Sequence, residues 1–503
     1  MAASSGSDRR RVLPRWRSAA AAATRGELSN LRPASAAWAA GVGEELDDKE
    51  REWHETHDAA VAGELVTLAF LGNDPSRGLQ AAETTLPSIS SAWPLLQDLF
   101  RAPWLTSTTP MASPPAPPSV RDSRIDAARV RSRITADPRN AIAWTDMARV
   151  YSLLGQSKRA ERATRVAMAL APLNRFVLRS AARLYVHQGD LERAHRAVVS
   201  AAHLSADPWL IATELAIADL ANWTPRCGRQ GRSALEAGRY RDRDVTELAS
   251  ALATLELGHG RTREARRLFR LALREPNDNA LAQAEWAERS VGELGTRDLL
   301  QSDTSSYEAQ TRLYRRLGKW SRAVAGAISW QGDEPYSEVA AAWSSSLVSV
   351  ADENYRYAAH LSRQGLVANP GSGLLRNNLA YSLIECGDLE DAERILCGLP
   401  DSMEDHTAVA SRATRGLLAF RRGNLDEGRR QYDEAIRQAR SVGLREEEAM
   451  AAVMLAREEV RSGGVFGVAA LDAASQAVKA SGNGLSRLAL DRILSGPPTA
   501  HIG

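Results

Sequence analysis

The residues from Trp144 to Pro172 alternate between apolar and polar types as two short helices joined by a turn would. Trp144, Met147 and Tyr151 are spaced i, i+3 and i+7, which places them on one stripe of a helix. Gly155 follows, at a point where a left-handed residue can end that helix. Pro172 marks the end of a second helix, because proline lacks the backbone donor. The pattern predicts a helical hairpin with the aromatic stripe in its core.

The same hairpin pattern recurs along the chain. Pro138 and Pro172 stand 34 residues apart, so a helix over about 123–135 is expected to be half of a preceding repeat. Further copies follow toward the C-terminus, and the pattern is divergent near 209–240 and 279–302. The periodicity predicts about eight or nine units between residues 123 and 485.

Small residues complete the repeat at points where two helices would approach closely, namely Ala148, Ala160 and Ala167. With these alanines, the unit resembles the tetratricopeptide repeat (TPR) family. The resemblance implies an all-α fold, an α-solenoid of helix–turn–helix repeats forming a right-handed superhelix. One such repeat cannot bury its apolar face alone, so repeats stack. Family members serve as scaffolds for other molecules, which implies a non-enzymatic protein here.

The regions outside the array have different compositions. Residues 1–42 are rich in Arg, Ala and Ser and are predicted to be a disordered tail, with a targeting segment as the alternative. A long helix over 43–72 and a second over about 75–89 are predicted to form a helical N-terminal module at 43–102. Residues 103–122 are rich in proline and indicate a linker. Residues 486–503 are expected to be a C-terminal tail.

Composition excludes several functional classes. The formal net charge of the 503 residues is +2, and no apolar run approaches the length of a membrane-spanning helix, so a cytoplasmic protein without membrane insertion is expected. Three scattered cysteines are too few for a disulfide framework or a zinc cluster. His54 and His57 are three residues apart, whereas the zinc-protease motif needs four. No cofactor, metal or catalytic residue is therefore predicted.

The resemblance also implies a binding surface, because in TPR proteins the first helix of each repeat lines a concave groove. The register then predicts a cationic N-terminal half and an apolar C-terminal half of the groove. The alternative is that the arginines form a solvated face and the apolar residues are buried. The predicted groove residues are Arg149, Arg179, Arg183, Arg312, Arg315, Arg316, Trp343, Leu347, Asn377, Tyr381, Ile384, Leu417 and Phe420.

Three functional hypotheses follow from this surface. The first is a scaffold or adaptor that binds a protein partner, through an acidic or amphipathic peptide segment lying in the groove. The second is a nucleic-acid-binding or sensing solenoid whose arginines contact phosphates, and the near-neutral net charge weighs against it. The third is a regulatory sensor subunit of a bacterial multi-protein system, with oligomerisation through the N-terminal module. The arginines of the second hypothesis are Arg149, Arg179, Arg183, Arg226, Arg229 and Arg232.

Overall fold

A computed structural model describes residues 10–25, 36–71, 75–89, 100, 115–201, 204–302, 305–399, 404–463 and 465–496. Within these ranges the regular structure is entirely helical, which confirms the all-α solenoid of TPR-like helix pairs. The chain divides into two compact units. Unit 1 consists of Met1–Pro114 with Arg121–Ser306, and unit 2 of Pro115–Val120 with Tyr307–Gly503.

The described residues of the N-terminal module of unit 1 form three α-helices, α2 (Ala36–Thr56), α3 (Ala59–Leu71) and α4 (Pro75–Thr85), followed by a 3-10 turn at Leu86–Ser88. A short helix, α1 (Ala19–Thr24), precedes them. Trp53, Leu65 and Val66 belong to the shared core of the module. The sequence predicted one long helix over 43–72, but His57 adopts a φ of +50° and breaks it. Asp58 then accepts the free N–H of Ala60 at 2.8 Å and starts α3, so local capping overrides the continuous apolar pattern.

The repeat array of unit 1 begins with a lone helix, α5 (Val120–Ala136), as the spacing of the prolines predicted. Five helix pairs follow. They are α6 (Ala141–Leu153) with α7 (Ser157–Leu170), α8 (Arg175–His187) with α9 (Leu191–Val199), α10 (Pro208–Leu220) with α11 (Gly228–Glu236), α12 (Asp242–Gly258) with α13 (Thr262–Ala272), and α14 (Asp278–Val291) with α15 (Thr296–Ser302). Both stretches that looked divergent in sequence therefore form helix pairs.

The first hairpin shows why the repeat takes this form. Asn140 caps α6 by accepting the N–H of Ala143 at 2.9 Å, and Gly155 ends the turn with a φ of +68°. Met147 and the three alanines of the repeat are buried between the helices. Trp144, predicted to be a core residue, is only half-buried, and its indole N–H donates to the carbonyl of Pro138 at 2.9 Å. Tyr151 is also half-buried.

In its described residues, unit 2 also contains five helix pairs. They are α16 (Tyr307–Arg316) with α17 (Trp320–Asp333), α18 (Glu338–Ala351) with α19 (Tyr355–Ala368), α20 (Gly373–Cys386) with α21 (Leu389–Cys397), α22 (Asp405–Arg421) with α23 (Leu425–Val442), and α24 (Arg445–Arg461) with α25 (Gly467–Ser481). A final helix, α26 (Gly484–Leu494), packs against α16, α18 and α24.

Helix α26 lies where the sequence predicted a tail from residue 486. Asn483 caps it by accepting the N–H of Leu485 at 2.9 Å, and Leu485 is buried in the core that contains Leu347. An apolar side of this short helix thus gains a place in the core, which the weak repeat pattern of the region did not indicate.

Helices α22 and α23 approach closely at Gly416, a position where the repeat prefers a small residue. A Cβ atom on Gly416 would lie 2.7 Å from the Tyr432 ring. We expect Gly416→Ala to lower the stability of unit 2 by roughly 1–3 kcal/mol, because the overpacking outweighs the gain in helix propensity. Urea unfolding of the full chain measures this change.

Gly371→Ala is the matched control, since a Cβ there meets no atom within 4 Å. It should change stability by less than about 0.5 kcal/mol. Equal stabilities of the two variants would contradict close packing at Gly416.

Candidate peptide-binding surface

The first helices of the five pairs of unit 1 lie side by side, and we call the surface formed by α6, α8, α10, α12 and α14 the inner face. Residues 10–25 of the same chain lie on it. Residues 10–18 have no regular secondary structure, and α1 follows. Trp16 and Arg17 are no more than 1% exposed, so this segment is inserted rather than loosely attached. Its burial differs from the disordered tail predicted for residues 1–42.

Two amide side chains of α14 bind the main chain of this segment. Asn279 Nδ2 donates to the carbonyl of Leu13 at 2.9 Å, and Gln283 Nε2 donates to the carbonyl of Arg10 at 2.9 Å. The Arg10 guanidinium returns hydrogen bonds to Gln283 Oε1 at 2.6 Å and Asn279 Oδ1 at 2.8 Å. The two amide donors bind main-chain carbonyls, so they can hold an extended peptide irrespective of most of its side chains, whereas the two acceptors bind the Arg10 side chain.

Asp278 supplies the charge contact at the start of α14. Its carboxylate accepts a short hydrogen bond from Arg17 and also lies 3.5 Å from Arg15 Nε and 3.4 Å from Arg25 Nη1. Burial of Asp278 opposes its ionisation, but the three guanidiniums outweigh that cost and hold the pKa of the carboxyl well below its usual range. A second pair joins Arg11 to Asp219 at 2.9 Å.

Asp146 contacts the same segment through a backbone group. Its Oδ1 accepts the N–H of Ala19 at 2.7 Å, at the beginning of α1. Burial raises the pKa of Asp146, and the hydrogen bond from Ala19 and the charges of Arg149 and Arg133 offset this only in part. Ala19 packs with Phe176 of α8. The pKa values of the two buried aspartates that contact the segment are therefore shifted in opposite directions, down for Asp278 and up for Asp146.

Arg179, one of the predicted groove residues, lies beneath the inner face. It is buried, donates to Glu247 and stacks on the Trp209 ring at 4.4 Å. Glu247 in turn accepts from Asn279 at 3.2 Å, so Arg179 supports the amide that binds Leu13. Its side chain positions the surface instead of forming it.

The other two predicted arginines of unit 1, Arg149 and Arg183, are half-buried on α6 and α8. The polar contacts just described come from carboxylates and amides of the inner face, and the arginines come from the segment. This differs from the cationic N-terminal groove that the register predicted.

In unit 2 the structure brings together three predicted residues. The guanidinium carbons of Arg312 and Arg315 lie 5.0 and 5.1 Å from the centre of the half-buried Trp343 ring. Arg315 also pairs with Glu446 of α24 at 2.7 Å, whereas Arg316 is exposed on α16. The cluster is a cation–π arrangement on the first helices of unit 2.

The predicted apolar residues of unit 2 are covered. Leu347, Ile384, Leu417 and Phe420 are buried, as the alternative interpretation of the sequence held. Asn377 is 5% exposed, and its Oδ1 has no hydrogen-bond partner among the described residues. Contact of these five residues with a partner stays a prediction, and it would require them to become accessible.

Tyr381, also predicted, belongs to a polar network between α20, α22 and α24. Its hydroxyl accepts from Arg457 at 3.2 Å, and Glu385 pairs with Arg421 at 2.9 Å and with Arg457. Burial disfavours the charged form of Glu385, but Arg457 and Arg421 outweigh it and lower the pKa of that carboxyl. In this network the carboxylate of Glu385 is paired with guanidiniums from the two neighbouring first helices.

The sequence reasoning missed Asp278, Asn279 and Gln283. The periodic pattern was poorly matched over 279–302, so the helix that binds the segment was set aside. The signal in the sequence was the pair of amide side chains at i and i+4 of α14. In the structure both amides are at most 1% exposed. Because buried amides need hydrogen-bond partners, two amides on one face of a helix can indicate a site that binds a peptide main chain.

Among the described residues, no group of His, Cys, Asp or Glu side chains is arranged to hold a metal ion. No helix in the described part of the chain is long and apolar enough to cross a membrane.

The matches that a comparison with known proteins gives are solved structures of low identity with TM-scores below 0.5. No family model and no curated protein matches the chain. Among solved structures, the human IFIT1 dimer with PPP-AAAA is 16% identical, with a TM-score of 0.37 over 72% of this chain and 94% of that one. Yeast Tom70 is 11% identical, with a TM-score of 0.32 over 90% and 96%. Cut9–Hcn1 of the APC/C is 11% identical, with a TM-score of 0.40 over 88% and 92%.

Asp278→Asn should release the N-terminal segment. The change removes the carboxylate that pairs with the buried Arg17, and breaking a buried ion pair costs about 3–5 kcal/mol. Trypsin cleavage within residues 10–25 measures the release, and we expect a large increase in rate. Because the pKa of Asp278 is lowered, its pairs persist above its ordinary pKa of 3.8 and are lost only as pH falls through the lowered value.

Asp146→Asn is the matched control on the same segment. The pKa of Asp146 is raised, so its ionised form costs stability as pH rises through the window above 3.8, and an amide oxygen can still accept from Ala19. Cleavage should change little at neutral pH. Equal protection in both variants would show that Asp278 does not hold the segment.

Proposed function

We propose that the protein is a non-enzymatic scaffold whose unit 1 inner face binds an extended, arginine-bearing peptide segment of a protein partner. One observation carries this proposal. Asn279 and Gln283 hydrogen-bond two main-chain carbonyls of residues 10–25 while Asp278 pairs with its arginines. Residues 10–25 are then the resident ligand, which a partner segment of similar chemistry replaces.

The charge of the surface favours a basic segment over the acidic one that the sequence suggested for this half. Asp219 and Asp278 face the arginines of residues 10–25, and a carboxylate brought to the same place would be repelled. Amide contacts to the main chain supply affinity that depends little on side chains. The arginine contacts supply orientation, because a guanidinium has a fixed planar set of donors.

Unit 2 favours a different ligand shape. Its resident segment is the helix α26, which buries Leu485 against the cluster of Leu347 and carries Arg492, bonded to the carbonyl of Val350 at 2.6 Å. An amphipathic helix of a partner is the occupant that this surface would accept in its place. Of the acidic or amphipathic segment proposed from the sequence, unit 2 therefore favours the amphipathic one.

A peptide-exchange experiment tests the function of unit 1. A protease site inserted between residues 26 and 35 of the full chain allows the segment to be cut after folding. A fluorescent peptide of residues 10–25 should then exchange onto the cut protein, measured by anisotropy. The same peptide carrying Arg17→Gln should bind at least about 100-fold more weakly, since it leaves Asp278 buried without its closest cation.

A peptide carrying Ala20→Gln is the control, because Ala20 is exposed. It should bind like the parent peptide, and unlabelled arginine-bearing peptides should compete while glutamate-rich peptides of equal length should not. Equal binding of the Arg17→Gln and parent peptides would refute recognition by the inner face.

A further inference from the structure

The helix α13 presents a row of arginines on the second-helix side of unit 1. Arg263, Arg267 and Arg270 are spaced i, i+4 and i+7, so at about 100° per residue they follow one line along the helix, and Arg274 comes two residues after its end. All four are exposed. We call them the arginine row. At a rise of about 1.5 Å per residue, its helical part from Arg263 to Arg270 is roughly 10 Å long.

An open depression of about 440 Å³ follows this row. Its walls are five guanidinium-bearing side chains and one leucine: Arg263, Arg266, Arg267, Arg270, Arg274 and Leu271. Like charges on neighbouring turns of a helix repel one another unless an anion lies between them.

The carboxylates near the row neutralise only part of this charge. Arg267 pairs with Glu264 at 2.6 Å, and Arg274 lies 3.5 Å from Asp242. Arg266 donates to the carbonyl of Glu293 at 3.1 Å, which adds no negative charge. Among the described residues, Arg263 and Arg270 have no hydrogen-bond or ion-pair partner. The depression therefore keeps an excess of cations over anions.

A buried donor adds a second, independent observation. The Nε–H of Arg266 is shielded from solvent and has no acceptor among the described residues. An unmet buried donor costs free energy. Arg266, which lines the depression, thus carries both a positive charge and an unpaired donor.

We propose that the arginine row binds the phosphate backbone of a nucleic-acid strand without reading its sequence. Guanidiniums match phosphate oxygens in pairs, and the row is linear, as a strand is. Arg263 and Arg270 are about 10 Å apart along the helix axis, so they would contact different phosphates of the strand. No aromatic side chain lines the depression to stack on a base, so contact is with the backbone.

An acidic protein segment fits these observations less well. Exposed guanidinium–carboxylate pairs contribute only about 0–1 kcal/mol each, so a few of them do not hold a flexible peptide. A polyphosphate backbone instead gains the release of its condensed counter-ions. The row lies on a second helix, whereas the inner face is made by first helices, so this site is independent of the proposed function.

Fluorescence anisotropy of the full chain with a labelled single-stranded RNA of about 20 nucleotides tests the proposal. Binding should weaken steeply with salt. The double variant Arg263→Gln with Arg270→Gln removes two phosphate contacts, so the slope of log K against log salt should fall by about 1.4. At about 0.1 M salt the affinity should fall roughly 20-fold. Both residues are exposed, and an unchanged unfolding curve verifies the fold.

Arg363→Gln with Arg437→Gln is the matched control, because it removes the same charge from two exposed arginines of unit 2. It should leave the slope unchanged. The proposal is overturned if the wild-type chain does not bind RNA at low salt, or if the control pair weakens binding as much as the test pair. It is also overturned if polyglutamate of matched charge displaces the RNA as well as inorganic polyphosphate does.

Discussion

A helix pair of this chain is too small to bury its own apolar stripe, and it is covered only by the next pair. Alanines and glycines at the contact points, such as Ala160 and Gly416, let the helices come close enough for that stacking to exclude water. The first helices are consequently brought side by side. Polar side chains on the side of these first helices that faces away from the second helices must then form hydrogen bonds or ion pairs with one another or with another partner.

Unit 1 and unit 2 resolve that requirement differently. In unit 2, Glu385 and the arginines of α22 and α24 form a network within the repeat helices themselves. In unit 1, Asp278 and the amides of α14 are satisfied by a segment that lies far away in sequence. A carboxylate that relies on a distant segment can lose its partners without unfolding its own helix, so it suits an exchangeable contact. The internal network of unit 2 does not have that freedom.

The fold could be predicted from local signals, because caps, small contact residues and helix-ending prolines act within one repeat. Gly155 and the half-repeat at α5 are confirmed. The break at His57 was not visible, since a positive φ at a non-glycine residue leaves no periodic trace. The candidate site was harder still. Arg179 has the right register for a groove, yet whether it faces outward depends on Glu247 and Trp209, which lie in other repeats. Which arginines contact a surface is decided by tertiary pairing.

Residues 10–25 also compete with any other ligand of the unit 1 inner face, and this competition determines the concentration or affinity that such a ligand needs. A ligand that belongs to the same chain as its receptor acts as if present at about millimolar concentration. A partner at about micromolar concentration therefore faces roughly a thousandfold handicap against an equal binder. It can overcome that handicap only by binding more tightly or by holding a second site. The inner face therefore binds partners that are abundant, multivalent or of high affinity, and a weakly binding partner at low concentration does not displace residues 10–25.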